Sequence, residues 1–203
     1  MNLKQALAIR YALIKEVLFL RIIAGLAKAL VLKSPKGLAT RPTADRVKEA
    51  LFSVLMPYLE NAVVLDVFGG SGALGLEAVS RGAVRAVFIE ANAATASLLK
   101  ANVTAAGFTK QAKVITGDAL KIIPVLKGQK FNLVFLDPPY NKGLLNKTIQ
   151  SLANAGILED EAVLTVETSS KNKEYLPTDG FRVFKESKYG DTTIIYLIWE
   201  GVS

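Results

Sequence analysis

The chain has 203 residues and a net charge of +7, and 51% of its residues are hydrophobic, enough for one α/β domain with a sizeable core. It contains no cysteine and no histidine. That excludes disulfides, removes the usual zinc and haem ligands, and rules out Ser-His or Cys-His nucleophile chemistry.

The charge is uneven. Residues 1–60 hold ten Lys and Arg against four Asp and Glu, while residues 61–203 are close to neutral. The expected organisation is a basic N-terminal appendage (helix, loop, helix) over residues 1–60 and a catalytic domain over residues 61–203. A basic appendage suits a polyanion such as nucleic acid, although a solubilising surface has the same composition. Residues 3–19 read as an amphipathic helix. Residues 11–32 are apolar, but Lys15, Glu16, Arg21 and Lys28 interrupt them, so a membrane span is not expected. A secretory signal fits poorly for the same reason. The expected setting is the cytoplasm.

Residues 33–42 are rich in turn formers and basic groups and read as a surface loop. The next segment is helical, with Thr43 or Asp45 as its cap and Val47, Leu51, Val54 and Leu55 on one face. From residue 63 the pattern alternates. Strand-like runs at 63–68, 86–89, 113–115, 131–136 and 162–166 are separated by helical stretches at 73–81, 93–106, 119–127 and 144–155. This alternation predicts a parallel, doubly wound sheet with helices on both faces. The end departs from it: 181–188 and 192–199 flank Tyr189-Gly190-Asp191 and read as an antiparallel hairpin.

The strongest local signal is Asp66-Val67-Phe68-Gly69-Gly70-Ser71-Gly72-Ala73-Leu74-Gly75, which follows an apolar strand and opens a helix. Glycines there permit a tight turn and close approach of backbone to a nucleotide. Glu90 ends the next strand, where a carboxylate can accept both hydroxyls of a ribose. Asp118 follows the third strand; it could meet an adenine amine or simply cap a helix. Asp66 stands where a pyrophosphate would otherwise lie. Its charge repels a dinucleotide and suits a ligand with a cationic amino-acid end, such as S-adenosylmethionine.

Asp137-Pro138-Pro139-Tyr140 follows the strand at 131–136. Two prolines make a rigid turn lacking two backbone donors. The Asp137 carboxylate and the Pro138 carbonyl can then accept both N–H bonds of a planar amine, and Tyr140 can stack on its ring. Such an amine is a poor nucleophile because its lone pair is delocalised. Two acceptors would favour a pyramidal nitrogen and aim the lone pair at a methyl donor. Arg41, Thr43 and Arg46 are candidates for contact with RNA; the two arginines could equally pair with Asp45 or Glu49.

Taken together, these segments resemble the bacterial 16S ribosomal RNA guanine-N2 methyltransferases. The likeness runs through Arg21–Gly25, Arg41–Glu49, the Asp66–Gly75 loop with Leu76-Glu77-Ala78, Asp137–Tyr140 and Lys188–Thr192. The resemblance implies a Rossmann-like class I methyltransferase fold, with a seven-stranded, mostly parallel sheet and a reversed last strand. It implies S-adenosylmethionine as methyl donor and ribosomal RNA, or the small ribosomal subunit, as substrate. It places Asp66, Phe68, Gly69, Gly70, Gly72, Glu90 and Asp118 at the cofactor and Asp137, Pro138 and Tyr140 at the amine. Gly70 stands where the family often has alanine. A monomer that needs no metal and no membrane is expected. Adenine N6 of DNA, a protein glutamine, or a non-catalytic RNA-binding role stay open as alternatives.

Overall fold

The computed structural model describes residues 20–34, 42–139, 143–170 and 179–201. The expected helix at 3–19, Arg41 and Tyr140 lie outside them.

Short apolar runs become strands because they can be buried on both faces. They are β1 (Val63–Asp66), β2 (Arg85–Glu90), β3 (Ala112–Thr116), β4 (Phe131–Leu136) and β5 (Leu158–Ser169), followed by β6 (Phe181–Tyr189) and β7 (Thr192–Trp199). The helices are α1 (Pro42–Leu55), α2 (Ala73–Ser80), α3 (Ala93–Ala105), α4 (Ala119–Ile122) and α5 (Leu144–Ala155). The sheet order is β3-β2-β1-β4-β5-β7-β6. The first five strands run parallel, and β7 runs antiparallel to both β5 and β6. The expected architecture is therefore the observed one. From β1 the chain winds outward through β2 and β3, then returns to build β4 and β5 on the other side. The switch point lies between β1 and β4, and a crevice opens there at the carboxyl ends of the strands.

Side chains alternate along each strand between two cores. Leu65, Val87, Val134 and Leu164 pack with Ile123, Ile149 and Leu152 on one face. Val64, Phe88, Phe135 and Val163 pack with Phe52, Leu76, Leu99 and Ile22 on the other. Helices thus cover both faces. The second core draws on residues either side of position 60, since Leu51, Phe52 and Leu55 of α1 belong to it.

Three details depart from the sequence reading. Helix α1 begins at Pro42, so Thr43 and Asp45 lie inside its first turn and do not precede it. Proline fits the first turn because its missing N–H would have no partner there anyway. The stretch 119–127 is a four-residue helix followed by a 3-10 turn at Ile123–Leu126; Pro124 cannot donate the hydrogen bond that would extend the helix. Strand β5 is longer than the apolar run 162–166, because it also takes in the exposed Glu159, Asp160 and Glu161.

Residues 20–34 form a narrow loop closed by a bridge between Arg21 and Val31. Its anchor is Glu77 of α2, whose side chain is fully buried. Glu77 accepts from Ile23 N at 2.7 Å and Ala24 N at 3.0 Å. It also pairs with Arg81 Nε at 2.7 Å and Lys48 Nζ at 3.2 Å. Lys48 in turn donates to the Arg21 carbonyl. Burial lowers the Lys48 pKa, and the Glu77 charge opposes that shift. Gly25 adopts φ +83° against the end of α2, where any Cβ would sit 1.7 Å from the Ser80 carbonyl oxygen.

Removing Glu77 leaves two amide groups unpaired and takes the salt-bridge partner from a buried lysine. We expect Glu77→Ala to cost about 3–5 kcal/mol, read as a lower midpoint in urea unfolding.

Candidate active site

Four glycines shape the turn out of β1. Gly69 N donates to Ile89 O at 2.8 Å, and Gly72 N donates to Gly69 O at 2.6 Å. Gly72 has φ +85°, and a Cβ on it would lie 2.3 Å from Leu99 Cδ1. A Cβ on Gly75 would lie 2.3 Å from the Phe88 ring, so this glycine sets how closely α2 lies on the sheet. Gly70 is held by its positive φ of +53°; a Cβ there would meet the Phe68 carbonyl oxygen at 3.7 Å, an ordinary contact. Phe68 is half-buried in the same turn.

Asp66 closes the floor of the turn. Its Oδ2 accepts from Gly75 N at 3.1 Å, and the residue is 4% exposed. Burial raises its pKa to about 7; the Glu90 charge adds to the rise, and the Gly75 and Phe68 amides oppose it. Glu90, half-buried, accepts from Gly70 N at 2.9 Å and from Asn92 N at 2.8 Å. Asp118 is the N-cap of α4, its Oδ1 accepting from Leu120 N at 2.9 Å and Lys121 N at 3.3 Å. The capping role foreseen for it is thus present.

Asp137 follows β4 directly. Pro138 behind it is buried. The protein packed around the carboxyl raises its pKa well above the usual value, and the charges of Glu167 and then Asp66 add to this. Asp66 stands opposite Phe135, two residues before Asp137 on the adjacent strand. The end of β1 and the corner after β4 therefore face one another across the switch point.

The proposed RNA-contacting residues are placed only in part. Thr43 lies in the first turn of α1, and its side chain is outside the described residues. Arg46 is exposed on α1 and makes no ion pair among the described residues. Asp45, one of its expected partners, pairs instead with Arg21, Nε to Oδ2 at 3.0 Å.

Two residues stand at the site that the sequence did not single out. Asn102, 2% exposed, donates from Nδ2 to Ser71 O at 2.8 Å and to Lys33 O at 2.9 Å, while its Oδ1 accepts from Lys33 N at 2.9 Å. It ties the glycine turn to the N-terminal segment. Glu167, half-buried near the end of β5, is the second. Its only signal in the sequence is an acid at the end of an otherwise apolar strand.

This combination defines a class: a Rossmann-like methyltransferase fold with acids at the carboxyl rim of its sheet. The family model described as "Conserved hypothetical protein 95" matches residues 20–198, and the chain belongs to that family. It is 43% identical over 161 residues to the Escherichia coli K12 Ribosomal RNA small subunit methyltransferase D, covering 78% of each chain. It is 39% identical to the Haemophilus influenzae protein of the same name, covering 84% of this chain and 89% of that one. A solved structure of the Escherichia coli protein yhhF superposes with TM-score 0.80 at 36% identity, covering 90% of this chain and 98% of that one. An RNA methyltransferase from Salinibacter ruber, solved with S-adenosyl-L-homocysteine, shares the fold with TM-score 0.59 at 14% identity, over 83% of this chain and 94% of that one. The chain is a methyltransferase.

The high Asp66 value sets a direction for stability. The folded chain keeps the Asp66 proton up to about pH 7, whereas an unfolded aspartate loses it near pH 4. This group's contribution therefore weakens folding as pH climbs from about 4 to about 7, and the loss is complete above that. Asp66→Asn should gain stability relative to wild type between about pH 5 and about pH 8 in urea unfolding.

Proposed function

We propose that the protein transfers the methyl group of S-adenosylmethionine to the exocyclic N2 amine of a guanine in 16S ribosomal RNA. The observation that carries this is the meeting of Asp66 and Asp137 at the switch point, where the β1–β4 register sets Asp66 opposite Phe135 and the Asp66 charge reaches the Asp137 carboxyl. The relatives' names support the rRNA acceptor.

The residues present fit the cofactor. Asp66 offers a buried acid to a cationic amino-acid end, beside amides of a helix N-terminus. Glu90 holds its carboxylate at the end of β2, steadied by two backbone amides and half-exposed, where ribose hydroxyls would come. Phe68, Gly69, Gly70 and Gly72 line the turn, where the lack of side chains on the glycines lets a ligand approach the backbone. Asp118 stands at the adenine end, with Oδ1 committed to the cap. When bound, S-adenosylmethionine supplies an electrophilic methyl on a sulfonium.

The chain's own work is positioning. The Asp137 carboxylate and the Pro138 carbonyl grip the two N–H bonds of the guanine amine, and Tyr140 stacks on the base. Asp137 then takes the proton that the methylated nitrogen must shed. Burial, then the Glu167 and Asp66 charges, raise its pKa, which makes it a stronger base than an ordinary aspartate. A guanine inside a helix must be unstacked before it can reach this corner. Residues 1–60, with Arg41, Thr43 and Arg46, hold the surrounding RNA backbone, while residues 61–203 carry the chemistry.

Labelled S-adenosylmethionine offered to unmodified small subunits, naked rRNA, DNA and protein is the direct test. Label on guanine N2 of rRNA is expected; label only on adenine N6 of DNA or on a protein glutamine would overturn the acceptor, and transfer to none of them would favour a binding role. Asp137→Ala should lower transfer by about a thousandfold or more while S-adenosylhomocysteine binding is kept, as read by calorimetry. Arg46→Glu should weaken RNA binding and flatten its dependence on salt, in a filter-binding series.

A further inference from the structure

Strand β5 carries an acid to which the proposed reaction gives no task. Leu136 pairs with Val166 across the parallel β4–β5 ladder, so the next residues along, Asp137 and Glu167, end side by side. Parallel neighbours lie about 4.8 Å apart. Along β5, Val163 faces the core that holds α1, α2 and α3, while Leu164 and Val166 face the other. Two-residue alternation puts Glu167 on the Val163 side. The same alternation puts Asp66 on the Val64 side and Glu90 on the Phe88 side, which is that same face. Glu90, Asp66, Asp137 and Glu167 thus form one acidic rim over four neighbouring strands.

Glu167 stands on a rigid support. It is opposite Ile194 of β7 in the antiparallel ladder. Three residues on, Ser170 N donates to Asp191 O at 2.8 Å, and Ser170 Oγ meets Thr193 Oγ1 at 2.8 Å. The strand end is held by the β6–β7 hairpin and cannot drift from Asp137.

We infer that Glu167 reads the N1–H of the target guanine while Asp137 and the Pro138 carbonyl hold its N2 amine. The inference rests on the guanine-N2 reading above and gives its selectivity a physical source. The Watson–Crick edge of guanine presents two donors side by side, N1–H and N2–H2. Adenine presents an amine beside a bare N1 lone pair. A glutamine amide presents its NH2 beside a carbonyl oxygen. Two adjacent carboxylates match the first pattern and repel the other two. A site built to accept a donor discriminates strongly against an analogue that lacks it, because the acceptor is then left unpaired.

The test removes the N1 hydrogen together with O6, and the Glu167 variants assign the resulting preference to N1–H. Splint-ligated 16S rRNA is prepared with guanine or 2-aminopurine at the position where the wild-type label maps, and is reconstituted into small subunits. 2-Aminopurine keeps the N2 amine and lacks N1–H. The wild-type protein should prefer guanine by roughly 10- to 100-fold in kcat/KM. Glu167→Gln should bring that preference to within a few-fold, with S-adenosylhomocysteine affinity and thermal midpoint kept. Glu167→Asp, which restores a carboxylate, should recover part of it. Equal use of both bases by the wild type, or an unchanged preference in Glu167→Gln, overturns the inference while leaving guanine N2 as the acceptor. Wild-type label on any other atom overturns the acceptor itself. Equal use of both bases by the wild type overturns the inference even if Glu167→Gln fails to fold, and Glu167→Asp then carries the assignment to N1–H.

Discussion

A carboxylate buried at the end of a central strand is costly, and the architecture around Asp66 is arranged to tolerate it. Little water reaches it, so the Gly75 amide at the start of α2 and the Phe68 amide carry the compensation. That arrangement requires α2 to begin immediately after a tight turn and to lie close on the sheet. Both requirements fall on glycines: Gly72 for its left-handed backbone and Gly75 for the Phe88 ring pressed against it. The crevice, the turn and the placement of the next acid all follow from this one packing problem.

The second constraint is charge. Glu90, Asp66, Asp137 and Glu167 crowd one rim; burial first, and then the neighbouring acids, keep the Asp66 and Asp137 carboxyls readier to hold a proton. A rim of this kind favours ligands that bring positive charge or N–H donors. It disfavours phosphates. The same residues that weaken folding at high pH therefore select the chemistry that the crevice can accept, a trade of stability for site electrostatics.

The N-terminal segment is bound into this frame by polar contacts. Glu77 and Ser80 of α2 take up the amides of Ile23, Ala24, Leu26 and Ala27, and Asn102 of α3 joins Lys33 to the Ser71 carbonyl in the glycine turn. The chain leading toward the basic loop and the loop around the cofactor crevice thus share a buried side chain.

The sequence by itself determined the strands, most of the described helices and most of the rim. Parallel strands buried on both faces must be apolar throughout, so β1, β2 and β4 stand out as runs, and the acids that end them stand out against those runs. The terminal hairpin was legible from its turn residues. What needed the tertiary structure were the partners distant in the chain. Glu77 reads as an odd acid in an apolar helix until residues 23, 24 and 48 are seen around it. Asp45 reads as a cap until Arg21 is found beside it. Glu167 reads as an ordinary strand end, and only the β4–β5 register sets it next to Asp137. Local pattern records which face a residue must take; which other residue waits on that face is decided by the order in which the strands are assembled.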